Sequence, residues 1–225
     1  MGKKFFITGT DTEIGKTTIS LGLITALKNT GHKVSAIKPV ASGSTLVNGA
    51  LRNDDALKLI DASNTQLDYD KVNPYCFEPP IAPHIAAQQT NTEINIETIC
   101  KLAEEHKAQS DYCIVEGVGG WQVPLNDNET VEDLAKVLQL PVILVVGIRL
   151  GCINHALLTV QAIQDSGLSL AGWVANHCEP DTNYADEIVE SLIQRINAPC
   201  IGVVEFLDDV NVELVSNQLD IASLV

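Results

Sequence analysis

Six short apolar runs recur along the chain, KKFFITG, KVSAIKP, DYCIVEG, PVILVVG, LSLAGWVAN and PCIGVVEF, each bounded by turn residues. They are nearly continuous in hydrophobicity and do not alternate with polar residues. A strand with one wet face alternates, so these runs predict strands covered on both faces, as in a parallel sheet. The helical patterns between them supply the cover: KTTISLGLITALKNTG, INIETICKLAEEHKAQS, TVEDLAKVLQL, NHALLTVQAIQDSG and NYADEIVESLIQRIN. The expected fold class is therefore α/β, a doubly wound, mostly parallel sheet flanked by helices. At 225 residues and 45% hydrophobic content, one domain spanning 1–225 is expected. The stretch from Pro39 to about Asn91 breaks the rhythm with ASGSTLVNG, a short helix NDDALKLIDAS and the loop-rich YCFEPPIAPH, and long excursions of this kind often shape sites.

The first run feeds directly into GTDTEIGKTT. Gly9 and Gly15 are separated by five residues, Thr10 to Ile14, where the Walker phosphate-loop pattern has four. Phe5 to Thr8 read as strand and Lys16 onward as helix. The extra residue thus lengthens the loop and leaves Gly15-Lys16-Thr17 in register with the helix start. Free N–H groups and the positive dipole end suit an anion there, Lys16 reaches phosphate oxygens, and Thr17 offers a hydroxyl to Mg²⁺.

A phosphate-bound Mg²⁺ needs one or two carboxylates nearby. Glu116 ends the run CIVE and precedes GVGG, which places it at the carboxyl edge of the sheet, where open α/β folds bind ligands. Asp54 and Asp55 follow Asn53 at a helix start, where a carboxylate either ligates a metal or simply complements the dipole. Lys38, at the end of the second run, faces the same edge. It either neutralises charge developing in phosphoryl transfer or is a solvated strand-end lysine, and Ser42 or Ser44 beyond it offers a hydroxyl to substrate. Gly117, Gly119 and Gly120 permit close backbone approach.

Other chemistries lose support. The five histidines lack zinc-ligand spacing, no Cys-x-x-Cys occurs among the six cysteines, and no serine sits in a Gly-x-Ser-x-Gly elbow. A formal charge of -15 disfavours nucleic acid and anionic lipid as partners. No apolar run reaches the roughly 18 residues of a membrane span, and no signal-peptide pattern opens the chain, so a reduced, cytoplasmic protein is expected.

In order along nearly the whole chain, GTDTEIGKT, KPVASGS, LRNDDAL, VNPY, PHIAA, VEGVGGW, PVILVVG, RLGCINHALLT and LAGWVAN resemble the dethiobiotin synthetase family. These are P-loop NTPase-type ligases that close the ureido ring in biotin biosynthesis. The resemblance implies carboxylation of 7,8-diaminopelargonate with CO₂, with ATP as co-substrate and Mg²⁺ as metal, giving dethiobiotin, ADP and phosphate. By the same resemblance Thr17, Asp55 and Glu116 serve the metal, which selects Asp55 over Asp54, and Lys16 and Lys38 meet the phosphoryl and carbamate charges. Glu13, Ile14, Gly15, Lys16, Thr17 and Thr18 would hold the nucleotide together with Asp55, Glu116, Gly117, Val118 and Gly119. Asn176 would read the adenine edge, with His177, Glu205, Phe206 and Leu207 around the base. Thr12 and Ser42 would contact diaminopelargonate. Backbone N–H groups of Gly151, Cys152, Ile153 and Asn154 would hold its carboxylate from the neighbouring subunit, which implies an obligate homodimer with composite sites.

Two positions depart from the family pattern, His177 after the asparagine and Glu205 after the last strand, and both bear on selection of ATP over CTP. The implied mechanism runs through a carbamate and a carbamic–phosphoric anhydride without a covalent enzyme intermediate. A partitioning-type regulatory ATPase is the alternative from the same superfamily, but such loops carry a second lysine early, where this chain has Gly9, Thr10 and Asp11. A noncatalytic nucleotide-binding module is a further alternative, and it has no need to retain Lys16, Lys38, Asp55 and Glu116 together.

Overall fold

The computed structural model describes residues 2–225. The chain runs β1 (Lys3–Gly9), α1 (Lys16–Asn29) and β2 (Val34–Ile37), then the excursion: β3 (Val40–Ala41), β4 (Thr45–Val47), β5 (Ala50–Arg52), α2 (Asp54–Ala62), α3 (Tyr69–Val72), β6 (Tyr75–Cys76) and α4 (Pro83–Gln89). It continues through α5 (Ile96–Ala108), β7 (Tyr112–Glu116), α6 (Val131–Leu138), β8 (Val142–Ile148), α7 (Cys152–Asp165), β9 (Leu170–His177), α8 (Ala185–Ile193), β10 (Cys200–Val204) and α9 (Val212–Asn217). The six strands that the apolar runs predict form one sheet, ordered β10-β9-β8-β1-β7-β2, with every pairing parallel.

The unalternating sequence has a direct cause in β8, all seven residues of which are buried. Ile143 and Val145 point into the layer that contains Ile19, Leu23 and Leu27 of α1. Leu144, Val146 and Ile148 point the opposite way, against Ala156 of α7 and Leu192 of α8. Helices on both faces leave neither side of the strand wet, so polar residues have no place in it.

β7 threads between β1 and β2, and the sheet then grows from the other side of β1 through β8, β9 and β10. The winding therefore reverses beside β1, and the crevice at such a reversal opens at the carboxyl ends of the strands. Register aligns those ends: Ile7 pairs with Glu116, Gly9 with Val145 and Ile37 with Val115. The loop after β1, Lys38 after β2 and Glu116 at the end of β7 consequently share one edge. The excursion is fastened to that edge by β3 pairing with β6 and by the Lys38 N–H, which donates to the Val72 carbonyl at 2.9 Å. Among the described residues no helix is long and apolar enough to cross a membrane. All six cysteines are free.

Candidate active site

The extra loop residue is accommodated by Ile14, which turns inward and is 1% exposed. Its side chain occupies space that Gly9 and Gly147 leave open, since a Cβ on either would come within 2.6 or 2.7 Å of an Ile14 carbon. Gly15 caps α1 with φ 83, a left-handed conformation that costs glycine nothing. Beneath it, Asn176 at the end of β9 donates from Nδ2 to the Ile14 carbonyl at 2.9 Å. The loop is thus braced by β9, and a Cβ at residue 15 would lie 2.2 Å from that amide nitrogen. Arg149, just past β8, pairs with Asp11 from the outer side.

Four charges converge where the strands end. Lys38 Nζ donates to Glu116 Oε1 at 2.7 Å and to Asp55 Oδ2 at 2.5 Å. Thr17 Oγ1 donates to the same Glu116 oxygen at 2.7 Å, and Lys16 Nζ donates to the Asp11 carbonyl at 2.7 Å. Glu116 is fully buried, and its second oxygen, Oε2, has no hydrogen-bond partner among the described residues. Burial alone would favour a neutral Lys38, but Glu116 and Asp55 outweigh it and hold the ammonium pKa above its ordinary value. Burial would likewise favour a neutral Asp55, and Lys38 beside it reverses the sign, so the Asp55 pKa is lowered.

Lys16 differs. Burial dominates there, opposed by Glu116, and its pKa falls to about 8. A polyphosphate needs the ammonium form, so affinity of the free protein for ATP is expected to fall by up to about tenfold per pH unit above about pH 8. Titration calorimetry across pH 7 to 10 checks this, with Lys16→Met as the comparison. An equally steep decline in Lys16→Met would assign the pH dependence to another group.

A cavity of about 1200 Å³ opens above this cluster. Of the residues singled out by sequence, Thr12, Glu13, Gly15, Lys16, Thr17, Thr18, Lys38, Ser42, Asp55, Val118 and Gly119 line it. Ile14 and Glu116 lie buried beneath, and Gly117 donates its N–H to the Ile7 carbonyl at 2.9 Å. Ser42 Oγ and Ser44 Oγ are both buried with no partner among the described residues, but only Ser42 reaches the cavity wall. Asn176, His177 and Glu205 to Leu207 stand at the ends of β9 and β10 and do not line it, nor does Gly151 to Asn154. Gly151 caps α7 at φ 93, no side chain caps that helix, and the neighbouring Leu150 is 97% exposed.

Lys58, Pro80 to Pro83 and Val123 also line the cavity, and none of them stands out as a site residue in the sequence. Lys58 had a signal: three residues after Asp55 on a helix, it shares that residue's face. Pro80 to Pro83 had none beyond their place in the excursion. Among the described residues no group of three or more His, Cys, Asp or Glu side chains is placed to hold a metal on its own.

Residues 3–213 match the protein-family model described as AAA domain. In sequence the chain is 49% identical over 221 residues to the ATP-dependent dethiobiotin synthetase BioD of Pseudomonas paraeruginosa, spanning 98% of this chain and 97% of that protein. It is 48% identical over 202 residues to the ATP-dependent dethiobiotin synthetase BioD 1 of Escherichia coli O157:H7, spanning 90% of each. Among solved structures it resembles the MinD cell division protein of Aquifex aeolicus, with TM-score 0.59, 18% identity and coverage of 98% of this chain and 88% of that one. A ParA family ATPase from Chlorobium tepidum gives TM-score 0.58 at 14% identity, covering 100% and 93%. The likeness to the latter two is one of fold.

Proposed function

The chain belongs to the ATP-dependent dethiobiotin synthetases, within the family described as AAA domain, and we propose that the cavity above Lys16 and Lys38 is where it forms dethiobiotin. The substrates are 7,8-diaminopelargonate, CO₂ and ATP. One observation carries the assignment: Lys38 is held between Asp55 and Glu116, with the Glu116 oxygen shared by Thr17 of the phosphate loop.

The reaction begins as one amine of diaminopelargonate adds to CO₂, releases a proton and becomes a carbamate. A carbamate oxygen attacks the γ-phosphorus of ATP, ADP leaves, and a carbamic–phosphoric anhydride forms. The second amine then attacks the anhydride carbonyl, loses its proton, expels phosphate and closes the five-membered ring. Every step places negative charge near the two lysines, so the protein acts chiefly through positioning and preorganised positive charge. Lys16 exchanges its backbone carbonyl partner for phosphate oxygens, and Lys38 faces the carbamate and the transferring phosphoryl group. Ser42 and Thr12 on the cavity wall orient diaminopelargonate. Asn176, bound through its nitrogen to the loop, turns its oxygen toward the adenine amino group, with His177 and Glu205 to Leu207 around the base.

The oxygen donors at the cavity floor fit Mg²⁺. Thr17, Asp55 and Glu116 would hold the ion, and the orphaned Glu116 Oε2 supplies a buried lone pair for it, with phosphate oxygens and water completing its shell. When bound it neutralises charge on the β- and γ-phosphates. Asp55→Asn and Glu116→Gln keep shape and remove charge, and each is expected to raise half-saturating Mg²⁺ by roughly tenfold or more. Titrations that overlay the parent's would remove the residue from the ligand set.

The carboxylate of diaminopelargonate belongs at the start of α7, supplied by the second subunit of a homodimer. The Cys152 N–H is already given to the Arg149 carbonyl at 3.1 Å, and among the described residues the Ile153 and Asn154 N–H groups, with the positive end of the dipole, are left to meet an anion in a segment that lies outside its own chain's cavity. The assay for the whole reading is direct: pure protein with diaminopelargonate, bicarbonate, Mg²⁺ and ATP, followed by mass spectrometry for dethiobiotin. Failure to form it, with ATP bound, would return the chain to the regulatory ATPases whose fold it shares.

A further inference from the structure

We propose that Tyr69, which lies outside the cavity, is a positioning residue whose hydroxyl sets the separation of Lys38 and Asp55; this rests on the roles given to those two residues above. Tyr69 opens the short helix α3 in the excursion. Its Oη accepts the Asn53 N–H at 2.6 Å and donates to Asn73 Oδ1 at 2.9 Å. Each partner leads to one half of the charge cluster.

Asn53 leads to Asp55. It caps α2, where its Oδ1 accepts the Ala56 N–H at 3.3 Å and its Nδ2 donates to the Ser42 carbonyl at 3.3 Å. The first turn of α2 and the Ser42 loop are thereby tied together. Asn73 leads to Lys38, because its Nδ2 donates to the Lys38 carbonyl at 2.7 Å while the Lys38 N–H donates to the Val72 carbonyl at 2.9 Å. The hydrogen-bonding groups of the Lys38 backbone are therefore held by two consecutive residues of the excursion.

Asn53 and Asn73 are 6% and 2% exposed, so bulk water does not replace a lost partner at either. Arg52 lies over the Tyr69 ring at 4.0 Å and helps hold it in place. Glu116 is fixed by the sheet, whereas α2 packs beside it through Leu59, and its first turn is set against Lys38 by the phenol oxygen, the Asn53 tie to Ser42 and the ion pair itself. Removing the oxygen takes away one of the ties that set the first turn of α2 against Lys38. Displacements of an ångström are enough to matter in a positioned phosphoryl transfer.

Tyr69→Phe keeps the ring and the Arg52 stacking and removes only the oxygen. The expected result is a fall in kcat of about tenfold, a KM for ATP within about twofold of the parent, and a severalfold rise in half-saturating Mg²⁺. Calorimetric Mg²⁺ affinity in the presence of ADP should weaken in parallel, a readout independent of turnover. Asn73→Ala breaks the branch to Lys38 while Tyr69 still meets Asn53, and it should lower kcat similarly; it decides the matter if Tyr69→Phe fails to fold. Cys76→Ala removes a thiol 3.5 Å from the same phenol oxygen that leads to neither charge, and should leave kcat unchanged. A lower melting temperature with parent kcat and parent Mg²⁺ affinity in Tyr69→Phe and Asn73→Ala would make the network merely structural and overturn the proposal. Parent-like activity in Lys38→Ala and Asp55→Asn would overturn the reading of the site instead.

Discussion

Lys38→Ala is expected to lower kcat for dethiobiotin formation by about 10²-fold or more and to destabilise the fold by about 3–5 kcal/mol. The two losses have different origins, which a second variant separates. Lys38 is the only protein cation bonded to Glu116 among the described residues, and Glu116 is fully buried. Deleting the lysine leaves that carboxylate to desolvate alone, which is where most of the stability is lost. Lys38→Ala combined with Glu116→Gln removes the stranded charge, so its denaturation midpoint should recover most of the way toward the parent. Its turnover should not recover if, as proposed, the missing ammonium is the group that meets the carbamate and phosphoryl charge. Near-parent kcat in the single variant would take Lys38 out of the chemistry, and a double variant no more stable than the single one would locate the cost elsewhere than at Glu116.

The same pair of residues marks how much could be read before the structure. That Lys38 and Glu116 share an edge follows from each closing an apolar run, because in a parallel sheet all such ends lie on one side. That they touch does not follow, since it depends on β7 threading between β1 and β2, and strand order is set by long-range packing that no local pattern encodes. The phosphate loop was legible down to its extra residue, but not the reason for it, which lies in the space that Gly147, far along the chain, leaves for Ile14. The excursion was recognised as a break in rhythm, and its helix α2 was visible through NDDALKLIDAS. Its two-residue strands and the four-residue α3 are too short to show a period, and so the Tyr69 network was invisible. The tail yielded nothing, although α9 packs Val215 into the layer shared with α1, because a six-residue helix buries too few positions to show an apolar face.

Mixing two inactive variants is expected to restore activity, the other large effect. One partner is Lys38→Ala, defective at the phosphate-loop half of the site. The other is Asn154→Asp, which places a carboxylate in the first turn of α7. Acid at that position complements the helix dipole, so the helix should persist, while the new charge repels the substrate carboxylate and raises KM for diaminopelargonate. At substrate concentrations well below that raised KM, each variant alone is nearly silent. In a homodimer whose sites combine the phosphate loop of one subunit with α7 of the other, a mixed dimer gathers both lesions in one site and leaves its second site intact. Random exchange in an equal mixture makes half the dimers mixed, so about a quarter of the parent's activity should appear as subunits exchange. Sites contained within single subunits would each keep one lesion whatever the pairing. Exchange verified by native mass spectrometry without a gain in dethiobiotin would therefore reject the shared site.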